Sequence, residues 1–136
     1  MIIDRYIGIP YVHLGRSMTG LDCWGFIKLV YRDLGYDLKD LDVYEIEGHL
    51  KGKDYFSGRE EEWELTSIPK QYDVVLFLNQ HGIAYHAGMI TAEGKFIHCA
   101  KNTGVAIINF DKVKSIMRVD GYYRLKARND SSKTKS

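Results

Sequence analysis

The sequence predicts an α+β domain: one N-terminal helix packed on an antiparallel sheet of about five strands. Three observations predict it. Residues 24–34 carry apolar side chains at helical spacing. From Asp73 onward the chain reads as short apolar runs separated by turn signals. The connections between those runs are too short for crossovers, which makes neighbouring strands antiparallel.

The helix comes first. Phe26, Ile27, Val30, Tyr31 and Leu34 mark its buried face, Asp22 is placed to cap its start, and Gly35 is placed to end it. Cys23 therefore falls in the first turn. Free backbone N–H groups and the positive end of the helix dipole are expected to favour its thiolate there, making it a candidate nucleophile.

The strands follow. Val74–Leu78 is a continuous apolar run. Ala84–Ile90, Lys95–Ala100 and Val105–Phe110 come next, with turns at 79–82, 91–94 and 101–104, and Gly121–Leu125 is the fifth strand. Residues 1–10 form a short lead-in and 12–20 a glycine-containing loop. Residues 37–69 read as an irregular or partly helical excursion, with a helix expected over 41–50. The domain is expected to span 1–125. The polar tail 126–136 is expected to be disordered.

Composition bounds the function. The chain has 136 residues, 45% hydrophobic and 27% charged, as in an ordinary single-domain globular protein. A net charge of +1 gives no electrostatic case for nucleic acid or an anionic membrane. No apolar run is long enough to span a bilayer, and the start does not read as a signal peptide. The chain is therefore expected to be made and kept in the cytoplasm or delivered by another route. The two cysteines are expected to be free.

A thiol nucleophile needs a base beside it and a third group to orient that base. His86 and His98 flank the 91–94 turn, and their numbers sum to an even value, so they share a face if the loop is odd or bulged. A three-residue loop sets them directly opposite or, shifted by one position, diagonal. Gly94 can supply the positive φ that such a turn wants. The expected roles are Cys23 as nucleophile, His86 as base and His98 as the group that fixes the His86 tautomer. The backbone N–H of Cys23 is placed to donate to an oxyanion. Cys99, on the other face from His98, is expected to fill the core. No metal is expected, because His81, His86 and His98 lack zinc-ligand spacing.

Four segments carry a resemblance. Pro10-Tyr11, Gly15, Ser17 and Gly20 lead to Asp22-Cys23-Trp24-Gly25-Phe26. Later come Asp73-Val74-Val75-Leu76-Phe77, then His86-Ala87-Gly88-Met89-Ile90, then Phe96-Ile97-His98-Cys99-Ala100 with Gly104-Val105. In this order they resemble the NlpC-type cell-wall cysteine peptidases. The resemblance implies a papain-like fold without a cofactor and a Cys23–His86–His98 triad. It also implies Tyr11 as an oxyanion contributor through its hydroxyl and Asp22 near the amino end of the substrate. The implied reaction is hydrolysis of a peptide bond in peptidoglycan stem peptides, typically that between D-glutamate and the diamino acid.

Trp24 stands where the family usually has serine, a position that contacts the substrate amino end. Asp22-Cys23-Trp24-Gly25 resembles the phage tail-assembly branch, which would make phage tail proteins partners and the virion the place of action. Two alternatives stay open: an idle structural component of a tail or other assembly, and a thiol acyltransferase or amidase on the same scaffold.

Overall fold

The computed structural model describes residues 2–40, 56 and 59–128. The helix expected over 41–50 and the tail from 129 onward lie outside the described residues.

Helix α1 spans Cys23–Asp33. Asp22 caps it in an extended conformation (φ −104°, ψ −170°), and its carboxylate accepts the Gly25 N–H at 2.8 Å. At the other end Gly35 donates to Arg32 O and Tyr36 to Tyr31 O, which satisfies the last carbonyls. Phe26, Ile27, Val30 and Tyr31 are fully buried, as their spacing requires, whereas Leu34 is only partly covered.

Two short strands, β1 (Arg16–Ser17) and β2 (Gly20–Leu21), form a hairpin just before α1. The main sheet contains β3 (Trp63–Thr66), β4 (Val74–Leu78), β5 (Ala84–Ile90), β6 (Phe96–Ala100), β7 (Gly104–Ile108) and β8 (Arg118–Leu125). Its order is β3-β8-β4-β5-β6-β7. Strands β4 to β7 form the expected meander, antiparallel throughout.

Besides the β1–β2 hairpin, which begins inside the expected 12–20 loop, three features depart from the sequence expectation. The sheet has six strands rather than about five, because Trp63–Thr66 in the excursion pairs with β8 at the edge. Strand β7 stops at Ile108, two residues early. Asn109 then caps a short helix α2 (Phe110–Ile116), accepting the Lys112 N–H at 3.1 Å. Finally, residues 126–128 continue the packed chain. Lys126 donates to Glu60 O at 2.7 Å, and Arg128 donates to Tyr31 Oη and Gln71 O.

Alternation along the strands divides the core into two layers. Leu76, Ala87, Met89, Ile97 and Cys99 face α1. Val75, Phe77, Ile90 and Phe96 face the other way, with Val113 of α2. Beneath the α1 layer, Asp73 is fully buried at the start of β4. Arg124 clasps its carboxylate with two bonds, at 3.0 and 2.6 Å, and Lys70 N–H donates at 2.7 Å. Among the described residues, no helix is long and apolar enough to cross a membrane.

Candidate functional site

Strands β5 and β6 pair only at Met89↔Ile97 and Ile90↔Phe96. Beyond those pairs β6 continues on β7, with His98 opposite Ala106, while β5 continues on β4, with His86 opposite Phe77. The sheet therefore opens between residues 84–88 and residues 98–100.

The start of α1 fills this opening. Leu21 O accepts from the Cys99 thiol at 3.1 Å, and the Cys23 sulfur accepts the backbone N–H of Ala87. Cys23 remains partly exposed, whereas Cys99 is sealed in the core as expected. Both thiols are free.

The register settles the histidine geometry. Thr91 N donates to Lys95 O at 2.9 Å, which leaves the three-residue loop 92–94, with Gly94 at φ 74°. This is the shifted form of the odd loop, so His98 lies diagonal to His86 on the same face. Their rings meet edge-on, with centroids 5.0 Å apart and His86 Nε2 2.8 Å from His98 Nδ1. Gly88 makes the approach feasible: a Cβ there would come 2.2 Å from the Phe96 ring and 3.0 Å from His98 Cβ.

Burial sets the protonation of all three groups. It pushes the Cys23 thiol up to about 12, helped by the adjacent Asp22 carboxylate and opposed by the Ala87 N–H. Burial, then the neighbouring His98, brings His86 down to about 3, and burial brings His98 down to about 4. These directions run against the thiolate expected from the helix start. A helix dipole contributes about 0.3–1 kcal/mol, less than one pK unit, while desolvation shifts buried groups by up to about 3–5 units. Both shifts favour the neutral thiol and the neutral imidazole. Thiolate absorbance in the ultraviolet, measured as wild type minus Cys23→Ala, is expected to emerge only on the alkaline side of the ordinary thiol range. Appreciable thiolate at pH 6 would contradict this.

The remaining residues expected at the site are placed as follows. Tyr11 is half-buried and bridges in parallel to Leu21, two residues before the cysteine. Asp22 is 2% exposed, and its oxygens accept from Gly25 N, Leu14 N and Arg16 Nη1. Its carboxylate is thus committed to the cap and the preceding loop. Trp24, expected against the substrate, points into the core instead. It is 5% exposed, donates to Lys39 O at 3.0 Å, and packs edge-on against Phe56 and Trp63. Residue 24 follows Cys23 along the helix and so projects from a different side of α1. Among the described residues, no group of three or more His, Cys, Asp or Glu side chains is arranged to hold a metal. Tyr85 is a neighbour of the site that the strand pattern alone does not reveal, because a β-bulge turns it there.

Comparison with known proteins agrees with this architecture. The model of the NlpC/P60 family matches residues 8–124. A probable endopeptidase of Haemophilus influenzae is 27% identical over 105 residues, covering 74% of this chain and 56% of that protein. The chain thus spans a little over half the length of this curated relative. The crystal structure of the NlpC/p60 domain of the peptidoglycan hydrolase SagA superposes with a TM-score of 0.54 at 26% identity, covering 82% of this chain and 86% of that one. NlpC2 from Trichomonas vaginalis shares the fold with a TM-score of 0.69 at 18% identity, over 91% of this chain and 44% of that one. With its helix packed on a mostly antiparallel sheet and these neighbours, the chain has the papain-like α+β fold. A match over this much of the sequence, together with the shared fold, means that the chain belongs to the NlpC/P60 family.

Proposed function

We propose that this chain is a cysteine peptidase that hydrolyses peptide bonds in bacterial peptidoglycan stem peptides, with Cys23, His86 and His98 as its triad. The single observation that carries the reading is the His86–His98 bond at 2.8 Å across the strand opening that holds Cys23. The family match and the naming of SagA as a peptidoglycan hydrolase support the substrate class.

The chemistry follows from the geometry. His86 uses Nε2 toward His98, which leaves Nδ1 for the thiol proton. For Nδ1 to be a base, the Nε2–H must donate to His98 Nδ1, so His98 carries its own proton on Nε2. Because both partners rest neutral, proton transfer from Cys23 to His86 accompanies attack of the sulfur on the substrate carbonyl carbon. The imidazolium keeps its bond to His98, then gives its proton to the leaving amine as the carbon–nitrogen bond breaks. Water, deprotonated by His86, hydrolyses the thioester and restores the thiol. As the first residue of α1, Cys23 has no intrahelical acceptor for its own N–H, which is free to donate to the oxyanion. The Tyr11 hydroxyl is the second donor in this reading.

Digestion of purified peptidoglycan, followed by mass spectrometry of soluble fragments, tests the proposal. Fragments ending at a new stem-peptide amine, absent with Cys23→Ala, are expected. Equal products from both proteins would reject it.

His98 acts through His86, and its replacement separates positioning from packing. His98→Ala is expected to lower kcat by about 10²- to 10⁴-fold. His98→Asn, which keeps an acceptor for the His86 Nε2–H, is expected to recover part of that loss. Equal loss in both variants, with unchanged melting temperatures, would contradict the orienting role.

A further inference from the structure

Tyr85 occupies an unusual place in β5. The β4–β5 register runs regularly from Val74↔Met89 to Phe77↔His86, then shifts so that Leu78 pairs with Ala84. Tyr85 is the extra residue of this bulge. Bulges re-aim a side chain and increase the local twist of a strand, and Tyr85 shows the effect. It is 37% exposed, while Ala84 and Ala87 on either side of the Tyr85–His86 pair are fully buried.

Its ring is 6.0 Å from the His86 ring, tilted at 39°. Its hydroxyl lies close enough to Cys23 to feel charge on the sulfur, which, after burial, raises its pKa. Among the described residues the hydroxyl has no hydrogen-bond partner. The Tyr85 ring thus packs against the base, and its unused hydroxyl lies within electrostatic reach of the nucleophile at the open edge of the sheet. A phenol in that position suits a peptide better than it suits core packing, since tyrosine combines an apolar body with a polar tip.

We infer that Tyr85 is a specificity-determining residue, its hydroxyl donating a hydrogen bond to a carbonyl of the bound peptide beside the bond attacked by Cys23. The inference rests on the peptidase reading proposed above and deepens it. Tyr85→Phe separates the hydroxyl from the ring: the phenylalanine keeps the cover over His86 and loses only the donor.

Two readouts are compared, using a soluble disaccharide–tetrapeptide released from purified peptidoglycan. The first is steady-state hydrolysis by the wild type and Tyr85→Phe. The second is calorimetric binding by Cys23→Ala with and without Tyr85→Phe, which needs no turnover. A rise of about tenfold in KM with kcat nearly unchanged is expected, because a hydrogen bond made equally in the ground and transition states acts on KM. Kd on the Cys23→Ala background should weaken by a similar factor. Tyr85→Ala should lower kcat as well, by uncovering His86.

Hydrolysis by the wild type with KM and Kd unchanged in Tyr85→Phe would overturn the assignment of Tyr85 and leave the peptidase reading standing. Neither hydrolysis by the wild type nor binding by Cys23→Ala would overturn the peptidase reading, and with it the ligand assigned to Tyr85.

Discussion

Replacement of Cys23 by alanine is expected to reduce stem-peptide hydrolysis by about 10⁴- to 10⁶-fold, the range seen when a covalent nucleophile is removed. The size of the effect follows from the chemistry. Without the sulfur no thioester forms, and the remaining donors only bind and polarise the substrate. Fold and stability should change little, because residue 23 is partly exposed and the α1 cap belongs to Asp22. The measurement is the rate of fragment release at matched protein concentration, with circular dichroism as the check on folding. A loss smaller than about tenfold would assign the hydrolysis to another group.

The second large effect is on stability. Asp73 is fully buried, and Arg124 holds it by two bonds while its own side chain is 20% exposed. Arg128 adds a cation at 3.7 Å. Removing one partner of a buried ion pair leaves the other uncompensated, which costs about 3–5 kcal/mol. Asp73→Ala is therefore expected to destabilise by that amount in urea unfolding. The effect should reach the site, because Ile90 N donates to Asp73 O at 3.0 Å and so ties β5 to the start of β4. Arg124→Leu combined with Asp73→Ala should recover much of the loss, because the cation that clasped the carboxylate is then removed with it. Equal stability of Asp73→Ala and wild type would show that the pair is dispensable.

Much of this was legible in the sequence because the signals are local. The cap at Asp22, the 3.6-residue period and Gly35 define α1 to within one residue at its start. The apolar runs and glycine turns define β4 to β6, and parity together with an odd loop places His86 and His98 on one face. What was missed depends on distant partners. Strand β3 reads Trp-Glu-Leu-Thr, with Leu65 68% exposed, and exists because β8 lies beside it some sixty residues away. Helix α2 buries only Val113, so its apolar period is too weak to read. Trp24 is the instructive case. As a departure from a familiar pattern it suggested substrate contact, yet its indole fills a core gap against Phe56 and Trp63. The protonation of Cys23 was hidden for a similar reason. The helix start is visible in sequence, but the desolvation that outweighs it comes from strands brought in by the fold.

The central claim is that Cys23 and His86 act as one unit, and the rates of Cys23→Ala, His86→Ala and the double variant on peptidoglycan test it most directly. Groups that share one proton transfer lose their contribution together, so the double variant should be no slower than Cys23→Ala alone. Losses that multiply in the double variant would contradict the account.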